Sequence, residues 1–361
     1  MLGLTNRRYS SQATTKILKL DKRARLFILV CAHPVLNVPP LLNVSLELGR
    51  RGISSVVLGY HKEGLPINER IGPHSRIFRL RLASRLIPLA PLRRIIATVE
   101  FLWRARQCLR RLEPDVLIAF NDPAVILLGE SQVGMQRVGW LLEYPEFERF
   151  GILQRLLMKL SSRYWARGDI FVAPTAQRLA VHCAVRPGLL SRKTVVIQNS
   201  PKLIPLKSTV DSENGRKACA WIGTARERGL LIIIHAGAIG NRYGIDAVIH
   251  AVAATPGTAL LILGPDNPVA KADINGALQA HAECDRITWI KGVPYQELHN
   301  ILALCDAGFV HYVGDSINTR FSAPGKLYDY LRAGLPHMTE ERPRRRLRRL
   351  RGIKPVKPDA L

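Results

Sequence analysis

The chain has 361 residues, 47% of them hydrophobic and 22% charged, enough for two compact domains and too much for one ordinary core. A disulfide-stapled miniprotein and a coiled coil are excluded, and near-average glycine and proline exclude a collagen-like or wholly disordered chain. The net charge of +25, of which each end carries +6 and the body +13, points to anionic partners: nucleotide phosphates, phospholipid headgroups or nucleic acid.

In chain order, residues 1–25 hold seven basic side chains among Ser and Thr. They lack the apolar core and cleavage site of a secretory signal and read as a disordered basic arm, with a mitochondrial-type presequence as the alternative. From 26 to 201 the pattern is that of an open parallel sheet. Strands are expected at Leu26–Cys31, Ser54–Tyr60, Arg76–Leu82, Asp115–Phe120, Val138–Leu142, Asp169–Val172 and Thr194–Ile197, with helices over about 41–50 and 92–112. Residues 202–228 lose periodicity and read as a linker.

A second alternating series fills 229–336: strand Leu230–His235, loop Gly237–Gly244, helix Asp246–Ala254, strand Ala259–Leu263, strand Ile287–Ile290, helix Tyr295–Cys305, strand Ala307–Tyr312 and helix Ala323–Ala333. The fold class expected is α/β, two Rossmann-like parallel-sheet domains facing across a cleft. After Gly334-Leu335-Pro336 a strand is due, yet residues 337–361 turn arginine-rich. They read as a basic tail on an incomplete C-terminal end, with a nucleic-acid or membrane patch and a shifted reading frame or truncated product as the alternatives.

No stretch reaches the eighteen consecutive apolar residues of a membrane span. The six cysteines form no Cys-x-x-Cys pair and the ten histidines no His-x-x-x-His pair, so reduced core thiols in a cytosolic protein are expected, and no metal site.

Two segments carry candidate chemistry. The loop His235-Ala236-Gly237-Ala238-Ile239-Gly240-Asn241-Arg242-Tyr243-Gly244 opens a helix. Gly237 and Gly240 allow close backbone approach, the helix start offers free N–H groups and Arg242 adds charge, which suits a phosphate; an ordinary strand-to-helix turn has the same spacing. In Ser322-Ala323-Pro324-Gly325-Lys326-Leu327-Tyr328-Asp329-Tyr330, Ser322 is expected to cap and Pro324 to start a helix. Lys326 and Asp329 then share a face, where a diphosphate would meet the lysine and a ribose hydroxyl the aspartate; the alternative is a surface ion pair.

The succession HAGAIGNRYGIDAVIHA, LLILGPDN, ITWIKGVPYQELHNILALCDAGFV and SAPGKLYDYLRAGLP resembles the donor-binding half of the group 1 (family 4) glycosyltransferases of the GT-B fold; residues 26–200 follow its acceptor half more loosely. The resemblance implies retaining transfer of a sugar from a nucleotide-diphosphate donor, without a metal or other cofactor. Asp329 then stands at the ribose-binding carboxylate, Gly325 and Lys326 lie in the family's Asn-Lys-Leu-Phe-Glu-Tyr variant, and Val293 matches the position whose backbone meets the base. Asn121, before Asp122 and Pro123, stands where the family has a histidine on the donor sugar, and with Lys326 and Arg242 it completes the expected catalytic set. Asp122, Glu143 and Glu146 fall on the acceptor side, where a solvated loop carboxylate is the plainer reading of the two glutamates. Three family positions are altered: Phe321 replaces the first glutamate, Ala238 the phosphate-binding arginine and Tyr243 a lysine.

The helix 92–112 mixes Ile95, Ile96, Val99, Leu102 and Trp103 with six arginines. It reads either as a surface for anionic lipid or as a helix packing its apolar side on the sheet with arginines in water. The expected protein is a glycosyltransferase at the cytoplasmic face of a membrane, with a nucleotide sugar and a glycan or lipid-linked acceptor as partners; a degenerate, non-catalytic relative is the alternative. Nucleic acid is not expected, because no aromatic-interleaved or helix-turn-helix element accompanies the charge.

Overall fold

The structure, a computed structural model, describes residues 25–34, 38–86, 88–130, 132–144, 152–199, 206–240, 243–264, 268–313 and 316–339. Two parallel-rich sheets carry the chain, and it divides into two compact units, one running to Gly139 with Arg167–Asp169, the other made of Trp140–Ala166 and the chain from Ile170 onward.

The first sheet contains β1 (Leu26–Pro34), β2 (Ser54–Tyr60), β3 (Asn68–Gly72), β4 (Ser75–Leu80), β5 (Val116–Phe120), β6 (Gln136–Trp140), β7 (Ile170–Ala173) and β8 (Lys193–Val196), in the order β3-β4-β2-β1-β5-β6-β7-β8. β1 runs parallel to β2 and β5, and Ile28, Leu29 and Val30 on it are fully buried, the continuous apolar run of a strand covered on both faces. Helix α1 (Pro39–Arg50) starts with two prolines and stops at Gly52, whose φ of 73° supplies the left-handed turn. β3 pairs antiparallel with β4; its sequence, NERIG, is polar because it is an exposed edge strand, and so it escaped the apolar pattern. Helices α2 (Ala90–Leu112), α3 (Ile152–Ser162) and α4 (Ala176–Val185) complete this series.

The segment read as a linker contains a fifteen-residue helix, α5 (Glu213–Glu227). Its buried face is Gly215, Ala218, Ile222 and Ala225, small side chains at helical spacing that leave little hydrophobic signal. Ser212 caps it by accepting from the Gly215 N–H at 3.1 Å, and the buried Glu297 accepts from the Ser212 N–H at 3.2 Å.

The second sheet contains β9 (Leu231–Ala236), β10 (Thr258–Gly264), β11 (Ile287–Lys291), β12 (Ala307–Val310) and β13 (His337–Thr339), ordered β11-β10-β9-β12-β13, every neighbouring pair parallel. This is the doubly wound order, which starts at a central strand and reverses direction beside it. Side chains alternate along β9: Ile232, Ile234 and Ala236 join one core with Ala218, Ile222, Ile301 and Tyr330, while Ile233 joins the other with Ile245, Ile249 and Ile262. The helices are α6 (Ile245–Ala254), α7 (Pro268–Ala280), α8 (Tyr295–Leu302), α9 (Ile317–Arg320) and α10 (Gly325–Arg332). The strand due after Pro336 is present, since Gly308, Phe309 and Val310 pair with His337, Met338 and Thr339; residues 340–361 of the expected tail lie outside the described residues.

Candidate functional site

In a doubly wound sheet the ligand crevice lies at the carboxyl ends of the strands, where the order reverses. Here that point is between β9 and β12. β9 pairs with β10 over six residues, but with β12 only through Ala307–Ile233 and Gly308–Ile234. Where the two strands part, the Tyr330 hydroxyl from α10 fills the gap. It accepts from the Ala236 N–H at 3.0 Å and lies 3.3 Å from the carbonyls of Ile234 and Phe309, to either of which it donates. Burial pushes the phenol pKa up, so it remains a donor. Gly308 makes this approach feasible, because a Cβ there would overlap the Tyr330 ring.

The glycines of the next loop have the positive φ that their spacing suggested. Gly237 leaves β9 at φ 121°, and Gly244 starts α6 at φ 57°, where a Cβ would also collide with the His311 ring. Neither α6 nor α10 has a side-chain cap at its N-terminus: their N-cap residues are Gly244 and Pro324. The cap expected at Ser322 is not made, because the helix starts at Gly325; the capping box belongs instead to Ser316 and Thr319 on the short α9. Two sets of first-turn N–H groups are therefore left for an anion or for water.

Lys326, on the first turn of α10, reaches toward the end of β9. Its Nζ lies 3.2 Å from His235 Nε2, 3.8 Å separates its Cε from the place of a Cβ on Gly237, and the ammonium stands over the rings of Tyr243 at 4.9 Å and Tyr312 at 5.7 Å. No carboxylate among the described residues lies within ion-pair distance of it. Loss of water lowers its pKa from 10.5 to about 7. His235 is fully buried and held neutral, its pKa lowered to about 3 by desolvation and then by Lys326. The same Nε2 lies 3.0 Å from the Ala238 carbonyl. A proton on Nε2 serves that carbonyl and favours a neutral lysine; a charged Lys326 donates to Nε2 and leaves the ring proton on Nδ1. Lys326 brings its amine to the Tyr243 ring from another element.

Asp329 lies one turn along α10 and accepts from the Tyr295 hydroxyl at 2.5 Å. Tyr295 was not singled out in the sequence, where its only mark is its place at the start of α8, two residues after Val293. Val293 is half-buried against the Ile232 side of the core, and the preceding Gly292 carbonyl accepts from Asn214 at 3.3 Å. The indentation beside Asp329, between Leu206, Leu298, Leu302 and Arg332, offers about 10 Å³ to water-sized centres, room for about one water molecule. Gly240 is buried within the loop and Gly325 is exposed at the helix start.

Asn121 ends β5 with a left-handed backbone, φ 57°, and Asp122 behind it is 8% exposed. Asparagine and histidine both tolerate that conformation, so the fold itself does not demand one over the other. Glu143 is exposed after β6, and Glu146 and Arg242 lie outside the described residues. Lys326, Gly237 and the two helix starts are thus brought together, with Asp329 and Tyr295 one turn away. Among the described residues no group of three His, Cys, Asp or Glu is placed to hold a metal ion, and four of the six cysteines are buried thiols.

No protein-family model matches the chain, and no curated protein matches it in sequence. Solved structures do match in fold. Sucrose-phosphate synthase from Thermosynechococcus elongatus superposes with a TM-score of 0.65 at 16% identity, over 87% of this chain and 81% of that one. HepE of Anabaena in complex with UDP-glucose gives 0.57 at 12% identity, over 87% and 80%. A UDP-N-acetylglucosamine 2-epimerase gives 0.52 at 13% identity, over 88% and 79%. Synthases and an epimerase share this architecture, so the likeness speaks for fold and leaves the chemistry to the site. The chain has the GT-B fold, built on two Rossmann-like sheets.

Proposed function

We propose that the chain is a glycosyltransferase that moves a sugar from a nucleotide-diphosphate donor, with retention, to a glycan or lipid-linked acceptor. Its setting is cell-surface polysaccharide or glycolipid synthesis at the cytoplasmic face of a membrane. The observation that carries the reading is Lys326, which has no carboxylate partner among the described residues, set beside two uncapped helix starts at the switch point of the second sheet. Transfer builds negative charge on the leaving diphosphate while the anomeric carbon becomes oxocarbenium-like, and preorganised N–H groups and a cation stabilise that charge. Lys326 and the amides from Gly237 to Gly244 would take the diphosphate, Arg242 would join them, Asp329 would meet the ribose and Val293 the base. Asn121 would bond the donor sugar, with Asp122, Glu143 and Glu146 toward the acceptor. Known proteins of this fold bind the expected donor class, as HepE does UDP-glucose and UDP.

A thermal-shift panel of UDP, GDP, ADP and CMP tests the donor site. At a hundredfold excess over its dissociation constant one nucleoside diphosphate should stabilise the chain by about 2.7 kcal/mol, and Lys326→Ala should lose the shift. The altered positions Phe321 and Ala238 favour a second reading, a binding protein without turnover; consumption of any nucleotide sugar would sink it, and a shift without consumption would establish it.

Binding should also take up a proton. The free lysine titrates near pH 7, and a diphosphate raises that value. Below pH 7 the ammonium is already formed; above it affinity should fall by up to about tenfold per pH unit as binding draws in one proton. Among the described residues, the groups facing Lys326 are His235, Tyr243 and Tyr312, with Asp329 on its own helix, and His235 is held neutral by burial. Calorimetry at pH 8 in buffers of different ionisation enthalpy should show one proton taken up by the wild type and none by Lys326→Arg.

A further inference from the structure

Helix α2 is apolar on the wrong side. Phe101, Ala105 and Leu109 are fully buried against the sheet, yet Leu92, Ile96, Val99 and Trp103 are 42%, 38%, 54% and 59% exposed, and Leu89 just before the helix is 63% exposed. At 100° per residue the four helical positions fall within an arc of about 60° opposite the buried face, a stripe about 20 Å long with Leu89. A surface helix ordinarily turns polar residues that way. The sequence had left open whether the apolar residues pack inward with arginines in water; both sides of the helix are apolar, and only the inward one is covered.

Charge identifies the occupant. Arg93, Arg106, Arg110 and Arg111 are exposed around the stripe. Of the acids near them, Glu100 accepts from the Ala83 and Ser84 N–H groups at 2.9 and 3.0 Å and pairs with Arg104, the buried Glu130 pairs with Arg106 and Arg110, and Glu113 is exposed just past the helix end. A second copy seated on this face would set arginine against arginine. The same chemistry recurs on α3, where Ile152, Leu156 and Leu160 are 85%, 64% and 43% exposed beside Arg155 and Lys159, with no acid in the helix. A flat anionic lipid surface satisfies such stripes without shape matching, and a tryptophan suits its interface.

The geometry points to the outward stripe of α2, Leu89 to Trp103 with its flanking arginines, as a face that docks on an anionic lipid bilayer. This deepens the reading of a lipid-linked acceptor and rests on that reading for its purpose, though not for its test. No helix among the described residues is long and apolar enough to cross a membrane; this one lies on it.

The test is co-sedimentation of the full chain with vesicles of phosphatidylcholine containing about 30% phosphatidylglycerol. Binding should be strong at low salt, weaken as salt screens the charges, and be slight on phosphatidylcholine alone. Val99→Glu with Trp103→Glu should weaken it at least about tenfold, and Arg93→Gln or Arg111→Gln about fivefold each. All variants should keep the nucleoside-diphosphate thermal shift, which shows they are folded. Undiminished binding by the double variant overturns the proposal, since the basic ends would then suffice. So does a folded chain that ignores vesicles, whether it stays monomeric or forms a dimer that Val99→Glu dissolves. Vesicle binding without any nucleotide shift would break the transferase reading and leave this face standing.

Discussion

Replacing Lys326 by alanine should lower the rate of sugar transfer about a hundred- to a thousandfold, the range for removal of a single preorganised donor to a developing oxyanion. Replacing it by methionine should do the same to the rate while raising thermal stability at and below pH 7. The two effects have one cause. In the free protein the ammonium is desolvated and, among the described residues, its polar neighbour is His235 at 3.2 Å. The native pKa lies below the unfolded one, so the unfolded chain binds more protons between pH 7 and 10.5 and stability at this group rises with pH across that window. Methionine removes the charge and keeps the packing over Tyr243 and Tyr312. A stability–pH profile for Lys326→Met that is flatter than the wild type's over that window, together with lost transfer, is the expected pair of results. A variant that transfers sugar at the wild-type rate would remove Lys326 from the site.

Much of this arrangement was legible before any coordinates. The buried strands β1, β2, β5, β9 and β10 were found within about three residues, because short continuous apolar runs bounded by turn or polar residues have few other solutions. The left-handed glycines 237 and 244 and the place of Lys326 on the first turn of a helix were legible because conformational freedom and helix-start signals are properties of the residue type. What escaped was relational. Helix α5 hides its face in alanine and glycine, and β3 is an exposed edge. Nothing in periodicity shows that Tyr295 would hold Asp329 or that the stripe of α2 would face outward, since a 3.6-residue repeat gives a face without saying which way it points. Tyr330 was not singled out in the sequence; its task depends on two strands that separate after two paired residues.

That task makes Tyr330 the largest single stability term proposed for the second sheet. Tyr330→Phe leaves the Ala236 N–H without a partner where β9 and β12 part, and should cost about 1–3 kcal/mol. Tyr330→Ala opens a cavity as well and should cost about 3–5 kcal/mol. Because Lys326 stands one turn earlier on the same helix, both variants should also weaken nucleotide binding in the thermal-shift assay. Gly308→Ala approaches the same contact from the other side: its Cβ would overlap the Tyr330 ring, at a cost of about 1–3 kcal/mol. The two sites must then couple. In the Tyr330→Ala background the added methyl enters vacated space, so the double variant should be scarcely less stable than Tyr330→Ala alone. Urea unfolding of the four proteins in this cycle measures the coupling. Equal costs for Gly308→Ala in both backgrounds would mean that the ring does not rest on the strand, and that some other contact keeps the ends of β9 and β12 apart.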